Sequence, residues 1–165
     1  LDDWDRIVRE HGPTVFATAW RILGHSADTE DVVQEVFLQA HQMAQGEVVR
    51  CWEALLRRLA ACRALDRLRK RRRHLSLDEA PIHDGPSADP EAVAQERELA
   101  SRLRDALTRL PAREASVFCL RFFDDLPYEQ IARALGITEG AAATALHKAR
   151  TRLEAILLAT IQEPK

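Results

Sequence analysis

Three cysteines, one methionine, one tyrosine and 5% aromatic residues leave this chain few of the side chains on which redox and metal chemistry usually rest. Cys51, Cys62 and Cys119 show no CxxC spacing, and the six histidines show no HxxxH-type pairing, so neither a bound metal nor a disulfide is expected. No apolar run approaches the ~20 residues that span a bilayer. The first ten residues, LDDWDRIVRE, are acidic rather than signal-like, which predicts a soluble cytoplasmic protein with no membrane insertion. No nucleophile, base and orienting group fall into a recognisable constellation, so the chain is read as a non-enzyme without a cofactor.

What the chain has in quantity is charge, unevenly placed. The formal net charge of −2 conceals four blocks. Residues 1–49 hold three arginines against nine acids, and residues 50–73 hold ten lysines and arginines against two acids. Residues 74–100 hold one against seven, and the remainder ten against eight. An acidic, basic, acidic, mildly basic order implies several partners or an internal counter-charge. It predicts that residues 74–100, with Asp78, Glu79, Asp84 and Asp89, rest against the basic segment 50–73.

Hydrophobic spacing predicts helix almost throughout, an all-α fold. A first helix over about Asp3–His11 should stop at Gly12-Pro13, and a second should run to Leu23 before Gly24. Ser26 is the expected cap of the next helix, whose acidic first turn suits the positive end of the dipole and whose buried stripe is Val32, Val33, Val36, Phe37 and Ala40. A long helix follows over about Val49–Arg73, with an apolar stripe that rotates after Leu59. His74–Pro90, with four prolines or glycines among acids, has the composition of a linker. Asp89 and Pro90 then open a helix bearing Leu99, Leu103, Ala106, Leu107 and Leu110, and Pro111 opens another. The expected architecture is two small helical domains, residues 1–73 and 91–165, joined by an acidic linker at 74–90.

The segment YEQIARALGITEGAAATALHKARTRL, residues 128–153, reads as a helix-turn-helix. Ile131, Leu135 and Ile137 are its apolar anchors, and Ala132 lets two helices approach. Gly136 supplies the positive φ of the turn, and Thr138 caps the second helix with Glu139 beside it. The N-terminal part of such a second helix enters the major groove while flanking cations hold phosphates, a task open to Lys148, Arg150 and Arg152.

Taken with DTEDVVQEVF at 28–37 and ALDRLRKRRR at 64–73, the segment LPAREASVFCLRFFDDLPYEQIARALGITEGAAATALHKARTRL resembles bacterial sigma factors of the extracytoplasmic-function (ECF) class over nearly the whole chain. The resemblance implies that the first domain docks on core RNA polymerase through Asp31, Gln34, Glu35 and Phe37. It also implies minus-10 promoter DNA binding through Trp52, Arg57, Arg58, Arg63, Arg67, Arg69, Lys70, Arg71, Arg72 and Arg73, cations suited to phosphates of single or duplex strands. Minus-35 contacts fall to Thr138, Glu139, Ala142, Ala143, Thr144, His147, Lys148, Arg150 and Arg152. Polymerase and promoter DNA are the implied partners, an anti-sigma protein a further one. The family usually shows Phe, Trp and Asn where this chain has Trp52, Leu55 and Cys62, so base capture by the loop Gln45–Arg50 does not carry over directly. Ala143 and Ala145 stand where the family often has Lys and Arg, so the upstream element should be held weakly or read through shape and methyl groups. The competing reading is a dimeric helix-turn-helix regulator whose first 73 residues sense or dimerise.

Overall fold

A computed structural model describes residues 2–75 and 90–162, all-α, with seven helices and no strand among them. They are α1 (Asp2–Leu23), α2 (Ser26–Gly46), α3 (Trp52–Leu75), α4 (Pro90–Thr108), α5 (Ala112–Phe122), α6 (Tyr128–Leu135) and α7 (Glu139–Gln162). The expected acidic contacts of Asp78, Glu79, Asp84 and Asp89, and the cap at Asp89, lie outside the described residues.

Gly12-Pro13 does not break the first helix. Helix α1 runs through Pro13, which costs a hydrogen bond to the carbonyl four residues earlier. Pro13 and Arg9 are both exposed, so the break in bonding falls on the solvent side, while Ile7 on one side of the proline and Val15, Ala19, Ile22 and Leu23 on the other are buried along one continuous face. Tertiary burial outweighs the local breaker. Ser26 is not the cap of α2 either: it is the first helical residue, and His25 caps by accepting from the Asp28 amide at 3.3 Å through Nδ1.

Helix α3 is the axis of the molecule. It packs against α1 and α2, and also against α4, α5 and α6. Ala60, Ala61 and Ala64 are wholly buried, and these small side chains let neighbours approach from more than one direction. That explains the rotating stripe, since Leu56, Leu59, Leu65 and Leu68 are all buried on a helix flanked on several sides. Each such leucine contributes about 2 kcal/mol. The expected pair of separate domains is therefore packed together here: one apolar cluster runs from Val15 and Val36 through Leu65 to Leu107, Leu120, Ile131 and Leu146.

Candidate polymerase and nucleic-acid interfaces

Helix α2 presents Asp31, Gln34 and Glu35 to solvent, one and two turns into a helix whose opposite side, Thr29, Val32, Val36 and Ala40, is core. Phe37 does not belong with them. It is 8% exposed and meets Trp4 edge to face at 6.2 Å, so its role is packing. Its neighbour Leu38 is 65% exposed and stands seven residues after Asp31, on the same face. An apolar side chain amid acids is the arrangement of a docking surface, and the i, i+3, i+4, i+7 spacing of 31, 34, 35 and 38 was the available signal for it. Arg67 ties this face to α3, reaching Glu35 at 2.8 Å and Asp31 at 3.5 Å. Arg71 holds Asp28 at 3.3 Å.

The cations of α3 divide by direction. Arg67 and Arg71 turn to α2. Arg69 and Arg72 turn to the end of α4: Arg69 donates to the Leu110 carbonyl at 3.3 Å, and Arg72 to the Asp105 carbonyl at 2.8 Å and the Thr108 hydroxyl at 2.7 Å. Arg57 pairs with Glu53 at 3.0 Å and with Asp124 at 3.3 Å. Lys70 and Arg73 are exposed and stand three positions apart, on one side of the helix. Arg63 donates to Gln39 at 2.9 Å. Lys70 and Arg73 are the exposed cations of this basic segment, open to phosphates.

Beside the α2–α3 connection lies an open cavity of about 520 Å³ lined by Trp4, Ile7, Glu47, Val48, Val49 and Trp52. Trp4 meets Trp52 edge to face at 5.6 Å and His41 at 4.8 Å. Apolar rings next to an exposed loop, in which Val48 is 93% exposed, offer stacking surface to an unpaired base. Trp4 sits 48 positions before Trp52 and carried no signal in the sequence for this placement.

Helices α6 and α7 form the helix-turn-helix. Gly136 takes φ +65°, the Ile137 amide returns to the Ala132 carbonyl at 3.0 Å, and the Thr138 hydroxyl accepts from the Ala141 amide at 3.1 Å. Thr138, Glu139, Thr144, His147 and Lys148 are exposed, and Ala143 is half-buried. Ala142 is wholly buried and Ala145 is 6% exposed, because 142, 145, 149 and 153 form the stripe that seats α7 in the core. Neither alanine therefore reaches a groove. Arg150 lies over the Phe122 ring at 5.0 Å, and Arg152 pairs with the nearly buried Glu114 at 3.2 Å, so both are directed to α5 rather than to the recognition face.

The Sigma-70 region 2 model matches residues 7–74, and the Sigma-70 region 4 model matches residues 100–153. The sigma factor SigL of Mycobacterium tuberculosis is 32% identical over 145 residues, covering 85% of this chain and 80% of its own length. The chain belongs to the ECF class of RNA polymerase sigma factors. SigE of Mycolicibacterium smegmatis is 29% identical over 159 residues, which is 93% of this chain and 61% of that protein. The fold of this sigma factor is similar to that of CnrH bound to the cytosolic domain of CnrY, with TM-score 0.58, 21% identity and coverage of 94% and 88%. It is also similar to RpoE of Bartonella quintana bound to the anti-sigma factor NepR, with TM-score 0.57, 21% identity and coverage of 95% and 98%. Two family regions in this order do not favour the dimeric-regulator reading. No described helix is long and apolar enough to cross a membrane, and no cluster of three or more potential metal ligands occurs among the described residues.

Proposed function

We propose that this sigma factor binds core RNA polymerase and opens promoter DNA, with residues 1–73 as the polymerase and minus-10 module, 74–90 as linker and 91–165 as the minus-35 module. The observation that carries the reading is the separation of three surfaces with three chemistries. The acidic face Asp31, Gln34 and Glu35, continued one turn on by exposed Leu38, suits a basic helical partner. Lys70 and Arg73 hold a phosphate backbone, and the Trp4–Trp52 cavity, at the other end of α3, takes an unstacked base, replacing stacking lost in the duplex at a cost of a few kcal/mol. The α7 face reads or rests on the upstream duplex through Thr138, Thr144, His147 and Lys148. The polymerase makes and breaks all bonds, and this chain is not an enzyme.

Runoff transcription with purified core polymerase tests the reading. Adding the chain should yield transcripts from defined start sites. The double variant Asp31→Lys/Glu35→Lys should need about tenfold more protein for half-maximal transcription, equivalent to about 1.4 kcal/mol. Tight duplex binding by the free chain with no stimulation of polymerase would refute it.

A further inference from the structure

The cavity beside the α2–α3 connection has, besides its two indoles, a polar rim of one sign. Asp3, Gln45 and Glu47 are the other polar side chains of its lining, two carboxylates and an amide, and no lysine, arginine or histidine lines it. A carboxylate accepts hydrogen bonds and donates none. The last turn of α2 also borders the cavity and carries no basic residue, so the negative end of that helix is left uncompensated there. The opposite pole, at the start of α3, has Glu53 in its first turn.

The two carboxylates are not equally available. Asp3 is taken up by Arg6 at 2.6 Å. Glu47 makes no ion pair and no side-chain hydrogen bond among the described residues, while its amide is fixed to the Met43 carbonyl at 3.0 Å. Its backbone is extended, with φ −139° and ψ 148°. An anchored backbone thus carries a free carboxylate at the edge of the cavity, five positions before Trp52.

Stacking on an indole tells bases apart poorly, because every base has a π-face. The Watson–Crick edge, freed when a base leaves the duplex, does discriminate. Guanine presents two adjacent donors there, N1–H and the N2 amino group, and the two oxygens of one carboxylate can accept both in parallel. Cytosine and adenine each offer one amino group beside an acceptor nitrogen. Thymine offers one N–H between two carbonyls, whose oxygens would meet the carboxylate with no donor between them. The rim therefore ranks guanine first and thymine last.

We infer that the Trp4–Trp52 cavity selects guanine among unpaired bases, with Glu47 as the specificity-determining residue that accepts from N1–H and N2. The inference rests on the proposed capture of an unstacked base in this cavity and adds which base is held.

The test uses the full chain assembled with core polymerase, with core polymerase alone as the blank. The probes are four short labelled oligothymidylates, one of thymidine throughout and three with a single central dG, dA or dC. Fluorescence anisotropy should show the dG probe bound about tenfold more tightly than the all-thymidine probe, equivalent to about 1.4 kcal/mol, with dA and dC between them. That is the lower part of the range for a bidentate base contact, as befits an exposed carboxylate. Glu47→Gln, which exchanges one acceptor for a donor at equal length, should bring the dG to all-thymidine ratio within twofold, and Glu47→Asp should keep part of it. A ratio taken within one protein does not depend on the fraction of that variant that is folded. Equal binding of all four probes by the wild type overturns the guanine assignment, as does a dG preference that survives Glu47→Gln. Trp52→Ala separates that failure from failure of base capture itself. A uniform loss over equally bound probes leaves capture standing and removes only the selectivity, whereas no loss with any probe removes both.

Discussion

Helix α3 has far more cations than α7, yet the two helices treat their arginines alike and differ in what remains. On α3, Arg67 and Arg71 serve α2, while Arg57, Arg69 and Arg72 serve the second half of the chain. Arg63 also serves α2, through Gln39, which leaves Lys70 and Arg73 exposed. On α7, Arg150 and Arg152 serve α5, and Lys148 with His147 remains. The count of basic residues overstates both DNA surfaces, and the ratio between them favours α3. The first half should therefore dominate the electrostatic part of promoter binding, with the upstream contact positioning rather than anchoring.

Reversing charge at Lys70 and Arg73 should break this contrast most forcefully. Lys70→Glu/Arg73→Glu should weaken binding to single-stranded DNA about a hundredfold, near 3 kcal/mol for two charged contacts. Fluorescence anisotropy at fixed salt measures it, and a loss within threefold would mean that the two cations are only a solvated surface.

Changes on α7 should be smaller and should separate its two sides. Ala145→Arg places a long cation at a 6% exposed position, so overpacking and charge burial should lower stability by about 2 kcal/mol, visible as a shift in the urea midpoint. Ala143→Lys, at a half-buried site two residues away and so on another side of the helix, should fold normally and steepen the duplex salt slope by about 0.9, equally for different upstream sequences. Equal stability of the two variants would contradict the assigned phase of the helix.

The smallest effect concerns the turn between α5 and α6. Asp125 takes φ +51°, a left-handed conformation that costs a side-chain-bearing residue about 1–2 kcal/mol, while glycine there adds unfolded-state entropy of about 0.5–1 kcal/mol. Asp125→Gly should therefore gain about 0.5 kcal/mol in chemical unfolding. Its ion pair with Arg121 does not change the sign, because Asp125 is 95% exposed there.

These contrasts separate what local rules reveal from what packing decides. Gly136 and Thr138 were legible because a left-handed turn and a helix cap depend on residues within four positions. The docking segment of α2 was legible too, but its phase was not: Phe37 and Leu38 are adjacent, about 100° apart on the helix, and only the packed neighbours Trp4 and the core show that Phe37 turns in and Leu38 out. The same holds for Ala142 and Ala145, whose burial follows from the seating of α7. Gly12-Pro13 misled because a strong local breaker sat on the wet side of a long buried stripe. The division of the α3 arginines and the Asp124 contacts were beyond reach, since their partners lie 24 to 106 positions away and no spacing rule links them.

Permanganate reactivity of thymines in a promoter incubated with core polymerase and this chain tests the central claim most directly. The account predicts reactive, unpaired thymines at the minus-10 element only when both proteins are present, with Trp52→Ala reducing the signal while polymerase binding persists. A promoter that stays duplex with both present, yet is protected from nuclease by the chain alone, would contradict it.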